Sequence, residues 1–153
     1  NGYLPAKPDT TQYQLMRVMH ATGWQHIRVL NLSDYRAPKS KDFIAFLAQH
    51  TAQDQHSLFA PSRAIELSAA FGHSRRFILG WGVAPAFEAW AVRVLAAIKL
   101  HTQNVIAPRH CQILGVQGVQ SWVYKHPLPL AQPAAQADWV RQITAQAQAT
   151  MLC

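Results

Sequence analysis

The chain is poor in charge and poorer still in acids. Charged residues make up 14% of its 153 positions, against roughly a quarter in an ordinary globular chain. Glu66 and Glu88 are the only glutamates, and all acids together number 7 against 14 Lys and Arg, a formal +7 with histidine neutral. The excess arises as much from scarce carboxylates as from abundant bases. Gln, Ser, Thr and eight histidines keep the surface wet instead. Cysteine is equally sparse: Cys111 and Cys153 offer no disulfide framework and no paired metal-ligand spacing, as expected in a reducing, cytoplasmic compartment. No apolar run approaches the ~20 residues that cross a bilayer, and Asn1–Thr22 has neither the basic head nor the apolar centre of a signal peptide. The expectation is a soluble protein with no membrane partner.

Several catalytic signatures are missing as well. No Gly-x-Gly-x-x-Gly or Walker pattern follows a strand, no His-x-x-x-His or His-x-Glu stands near a cysteine pair, and no Gly-x-Ser-x-Gly elbow occurs. These absences exclude the common nucleotide loops, the zinc deaminases and zincins, and the nucleophile-elbow hydrolases. No metal and no cofactor are expected.

What is present is the material of one α/β domain over residues 1–153. Half the residues are hydrophobic, enough for a core and incompatible with intrinsic disorder. Asp9-Thr10-Thr11-Gln12 has the reciprocal capping pattern, which predicts a helix from about residue 10 to 22 carrying Leu15, Met16, Val18 and Met19, with Gly23 as its left-handed cap. Ile27–Leu32 reads as a strand feeding a polar loop. Ser40 is placed to cap a helix with Phe43, Ile44, Phe46 and Leu47 on one face. A third helix after Pro61 or Ser62 carries Ile65, Leu67 and Phe71 to Gly72. Phe77–Gly82 reads as a buried strand, and Pro85 opens a long helix to about residue 99 with Phe87, Trp90, Val94 and Ile98 in its stripe. Cys111–Val116 is a further strand, and Ser121–Tyr124 a short extended piece. His126-Pro127-Leu128-Pro129 is a rigid loop, and Gln136–Thr150 a helix with Trp139, Val140, Ile143 and Ala147 on one face. Strands alternating with helices imply a three-layer α/β/α sandwich around a short, mostly parallel sheet. Ligands of such sheets bind outside the carboxyl ends of the strands, which puts Asn31–Arg36, Trp81–Ala84 and His126–Pro129 on one rim.

The order Asn1, Asp9-Thr10, Asn31-Leu32, Trp81-Gly82, Leu114-Gly115 and His126-Pro127-Leu128 resembles the bacterial and phage family called domain of unknown function 1643. That resemblance implies a fold more than a chemistry, and it implies a strand ahead of Asn1. In the family an Asn is followed by Pro-Ser, where this chain has Gly2-Tyr3. A remoter likeness is to the uracil-DNA glycosylases, which also end strands with Asn and with Trp-Gly and have a late His-Pro-Ser-Pro loop. Asn31, Trp81-Gly82 and His126-Pro127-Leu128-Pro129 resemble these, with Leu128 in place of the Ser and no clear counterpart of the water-activating Asp motif. The likeness implies that Asn31 reads a base and that His126 steadies charge on a leaving group.

Read as chemistry, His126 is either a donor to an oxygen gaining negative charge or a strand-end cap. Asn31 offers both donor and acceptor to a base edge, or shapes a turn. In Asp34-Tyr35-Arg36 the acid is placed to activate water, the ring to stack on a base and the guanidinium to grip phosphate; the alternative is a solvated loop. Trp81 between Gly80 and Gly82 is a stacking wall or core. Asp9 and Thr10 are helix caps first, and rim contacts for an anion second. Arg63 and Glu66 have the spacing of an exposed helical pair. The candidate catalytic set is therefore Asp9 or Asp34 with His126, and the candidate binding set is Asn1, Thr10, Asn31, Tyr35, Arg36, Trp81, Gly82 and Pro127. The function expected is association with DNA, RNA or a nucleotide through a base-sized pocket, with N-glycosidase-like hydrolysis as its catalytic form. A non-catalytic module for a small ligand or protein is the alternative, and the sequence leaves the oligomeric state open.

Overall fold

In a computed structural model the described residues are 9–37, 39–50, 55–105, 111–127 and 132–149. They belong to the α/β class and fall into two compact units, one built from Asn1–Arg28 with Pro127–Cys153 and the other from Val29–His126.

The first unit is a helix pair. Helix α1 (Thr10–Thr22) starts with the predicted capping box: Gln12 N–H donates to Asp9 Oδ1 at 2.7 Å, and Asp9 N–H donates to Gln12 Oε1 at 3.2 Å. It ends at Gly23, whose φ of 73° places it in the left-handed region where glycine carries no Cβ penalty. Helix α5 (Pro133–Ala149) packs against it. Trp139, Ile143 and Ala147 recur every four residues and are fully buried, as the sequence predicts. On α1 the buried pair is Val18 and, unexpectedly, Gln14, while Met16 is half exposed. The inward face of α1 is thus rotated from the one drawn by its apolar residues. The reason is polar: Gln14 Nε2 donates to the carbonyls of Pro127 and Gln136, each at 2.9 Å, and its Oε1 accepts from Arg17 at 2.8 Å. A buried amide is tolerated when its donors and acceptor are filled.

The second unit contains helices α2 (Ser40–Gln49), α3 (Ala64–Phe71) and α4 (Glu88–Val105) and strands β1 (Arg76–Leu79) and β2 (Gln112–Gly115). The strands are parallel and adjacent, in register from Arg76 opposite Gln112 to Leu79 opposite Gly115. Helix α4 lies between them in sequence and supplies Trp90, Ala91, Val94 and Ile98 to the core, with Leu47 of α2 and Phe71 of α3. Pro61 and Pro85 each open a 3-10 turn that leads directly into α3 and α4. Both strands stop short of their predicted ends. Beyond them Tyr124 makes antiparallel bridges to Gly82 on one side and Gln117 on the other. Gly82 N–H donates to Tyr124 O at 2.8 Å and Lys125 N–H donates to Val116 O at 2.9 Å.

Three expectations fail for identifiable reasons. Ile27–Leu32 forms no strand; the Leu32 carbonyl accepts from the Ser57 hydroxyl at 3.2 Å and Asp34 N–H donates to His56 O at 2.7 Å, so this backbone is tied to a loop and not to a ladder. Ser40 does not cap α2: the cap position is Lys39, extended and without a side-chain bond. Ile65 is 87% exposed, and the inward face of α3 is carried by Leu67 and Phe71.

The Tyr124 segment depends on Gly115, since a Cβ there would lie 2.8 Å from Tyr124 Cε1 and closer still to Cδ1. Gly115→Ala is expected to lower stability by about 1–3 kcal/mol, the usual range for overpacking. Urea unfolding of the single variant and of Gly115→Ala with Tyr124→Ala checks this, because removing the ring should recover much of the loss.

Candidate functional site

The loop 31–36 in the Val29–His126 unit is held by buried hydroxyls. Ser33, 2% exposed, accepts Tyr35 N–H at 3.1 Å, and Ser57, 1% exposed, donates to Leu32 O while accepting Phe59 N–H at 3.2 Å. These bonds fix the backbone on either side of Asp34. Tyr35 then lies flat on Phe46 of α2, with ring centroids 3.8 Å apart and planes 4° from parallel. His50 stacks on Phe46 at 3.9 Å and 22°, and two near-parallel rings at that distance must occupy opposite faces. His50 Nδ1 lies 2.7 Å from the Phe46 carbonyl, a contact that requires the proton on Nδ1. His56 meets Phe46 edge on, at 5.7 Å. The result is a column of Tyr35, Phe46 and His50 whose outer ring, Tyr35, is 40% exposed.

Asp34 pairs with Arg63, and Arg63 also forms a fork with Glu66 through Nε at 3.2 Å and NH2 at 2.7 Å. The Glu66 and then the Asp34 hydrogen bonds push the Arg63 pKa up, and the same guanidinium holds the Glu66 carboxyl below its ordinary range. The Arg63–Glu66 pair was legible from its spacing. Its extension to Asp34, 29 residues away, was not.

Trp81 follows β1 and is half-buried; its indole N–H donates to Trp122 O at 2.8 Å and its ring meets Tyr124 edge on at 5.4 Å. Gly82, at φ 112°, approaches Phe87 so closely that a Cβ would lie 3.2 Å from that ring. His126 is half-buried two residues after the bridged Tyr124, while Asn31 and Arg36 are exposed. In this unit, then, Asp34 and Tyr35 share one loop with Asn31 and Arg36, and Trp81 and Gly82 share the β1 end with Tyr124. Asp9, Thr10 and Pro127 belong to the helix-pair unit, where Asp9 is the α1 cap, Thr10 is exposed at the first turn and Pro127 is buried with its carbonyl on Gln14. Asn1 lies outside the described residues, as do Leu128 and Pro129. Phe46, His50 and His56 are the residues missed, together with the contact of Arg63 to Asp34. Phe46 on α2 and His50, the extended residue that caps its end, are four apart, a spacing that does signal a ring pair; nothing local signals Tyr35 above them.

Among the described residues no group of three His, Cys, Asp or Glu is placed to hold a metal, and no helix is long and apolar enough to cross a membrane. Burial pushes the Cys111 thiol up, away from the reactive thiolate.

Two outcomes test these assignments. Asp9→Ala should cost about 1 kcal/mol by removing the α1 cap, whereas Asp9→Asn should keep it; thermal melts of both separate a cap from a carboxylate needed as such. For Glu66, a folded pKa below its unfolded value means that its contribution is present above the unfolded value and is lost as pH falls through the folded one. Melting temperature followed down through the carboxylate range should therefore decline with an acid limb that shrinks in Arg63→Met.

A family model of proteins of unknown function, domain of unknown function 1643, matches residues 5–128. No curated protein and no solved structure matches the chain. With most of its length covered by that match, the chain belongs to the domain of unknown function 1643 family.

Proposed function

We propose that the protein associates with nucleic acid or a nucleotide through the loop 31–36 side of its Val29–His126 unit. One observation carries the reading: Tyr35 presents an exposed aromatic face backed by Phe46, with Arg36 next in the chain, on a protein of formal charge +7. Stacking on an aromatic ring and phosphate attraction are the two sequence-tolerant sources of affinity for nucleic acids. Asn31 adds an exposed amide for a base edge, and the β1 end with Trp81 and Gly82, followed in the chain by His126, completes the base-sized pocket of the proposal. A single domain with a three-layer α/β/α arrangement like that of uracil-DNA glycosylases and a cytoplasmic location are retained in the same proposal.

A hydrolytic, N-glycosidase-like form is the second reading. It is favoured by His126, which follows the Tyr124 bridges at the strand ends, where a donor to a leaving group would stand. It needs a carboxylate to orient water, and both candidates have other partners: Asp9 caps α1 and Asp34 pairs with Arg63. Binding without hydrolysis is therefore the stronger form.

Binding of the purified protein to labelled single- and double-stranded DNA at two salt concentrations, with His126→Ala alongside, tests the reading. The expected result is an affinity that falls steeply with salt in both proteins. Absence of binding at low salt overturns it. If free base is released in the same mixtures, His126→Ala should slow the release by about 100- to 1000-fold.

A further inference from the structure

We infer that the Tyr35–Phe46–His50 column is a site for one unpaired base, stacked on the outer face of Tyr35. The inference rests on the nucleic-acid reading above and narrows it to single strands and free nucleotides. Phe46 has both faces covered, by Tyr35 and by His50, and so has no face left for a ligand. Tyr35 has one face against Phe46, and the residue as a whole is 40% exposed; the inference places the base on its other face. The ring is also well anchored. Its own N–H is held by buried Ser33, and the residue before it is held by His56 O through its backbone and by Arg63 through its side chain. The backbone that carries the ring is thus held at Tyr35 itself and at Asp34 before it. A ring fixed in this way loses little further freedom when a second ring lies on it.

The charge around the column decides how a nucleotide would lie. Arg63 is shared between the carboxylates of Asp34 and Glu66, so this trio carries a net negative charge beside Tyr35 and repels phosphate. The exposed cations nearest in sequence are Arg36, immediately after Tyr35, and Lys39 and Lys41 at the start of α2. Of these, Arg36 adjoins the ring in the chain, whereas Lys41, five helix residues before Phe46, projects from a different side of α2. In the proposal the base meets the Tyr35 ring and Arg36 supplies the contact for its phosphate. A duplex cannot use the arrangement, because its base faces are already stacked on one another and single-strand readers depend on bases that are splayed out.

The test uses the full chain and a single-stranded oligodeoxynucleotide carrying one 2-aminopurine, the same strand annealed to its complement, and AMP as competitor. The expected result is tighter binding of the single strand than of the duplex, a change in 2-aminopurine fluorescence on binding, and competition by AMP. Tyr35→Leu should weaken single-strand binding by about 5- to 150-fold, the range for loss of one stacked base, while Tyr35→Phe retains it. Equal melting temperatures of the three proteins separate lost stacking from lost fold. Single-strand affinity unchanged in Tyr35→Leu overturns the column while leaving the nucleic-acid reading in place, and so does a duplex bound as tightly as the single strand. Absence of binding by every probe at low salt overturns both.

Discussion

Two parallel strands of four residues each cannot stand alone, and the Val29–His126 unit is organised around that constraint. A parallel pair is slightly less stable per residue than an antiparallel one and needs cover from a crossover element. Helix α4 supplies it, burying Trp90, Ala91, Val94 and Ile98 in the core. At the carboxyl ends the backbone groups that would continue the ladder are met by Tyr124, which bridges Gly82 and Gln117 at once. The glycines around this point follow from the arrangement. Gly115 leaves room for the Tyr124 ring, and Gly118 leaves room for Val123. The crevice at the strand ends, where ligands of open parallel sheets usually bind, is thus partly occupied by the protein's own chain.

Scarcity of acids gives the second constraint. Every carboxylate among the described residues sits at a helix start or on an arginine. Asp9 caps α1; Asp42, Glu66 and Glu88 lie in the first turns of α2, α3 and α4. Asp34 shares Arg63 with Glu66, and Asp138 pairs with Arg141 and accepts from Gln142. Negative charge at a helix N-terminus is favourable, and a carboxylate on an arginine makes charge-assisted hydrogen bonds. These placements suit stability and solubility. They leave no described carboxylate plainly set aside for activating water.

The helices were legible because their signals are local. The Asp9–Gln12 capping box, Gly23 with its positive φ and the proline at the start of each 3-10 turn all act within a few residues of where they are read. The strands were legible as apolar runs but not in extent, because pairing is decided by the partner: Phe77 and Ile113 found each other, whereas Ile27–Leu32 forms no strand and its last carbonyl accepts from Ser57 instead. The same distinction applies at the site. Tyr35 reads as a candidate ring for stacking on a base from its type and neighbours, but its packing on Phe46 and the turn of Arg63 toward Asp34 are non-local contacts that no spacing rule contains. Gln14 shows the converse case, a polar residue on an apolar-looking helix that is buried because two carbonyls distant in sequence need its amide.

The rigidity of loop 31–36 links these constraints. A loop normally earns its mobility from unfilled backbone groups, yet this one places Ser33 and Ser57 in the interior to fill them. Burying a hydroxyl is unfavourable unless both its donor and acceptor capacities are used, and Ser57 uses both, joining Leu32 O to Phe59 N–H. Arg93 reinforces the same stretch by donating to Phe59 O at 3.0 Å. Because Arg93 and the buried Trp90 and Val94 lie on α4, the loop that carries Tyr35 is braced by the helix that covers the sheet. On the proposed reading, a ring set on such a brace is oriented before any ligand arrives, so less of the stacking energy is offset by ordering the protein.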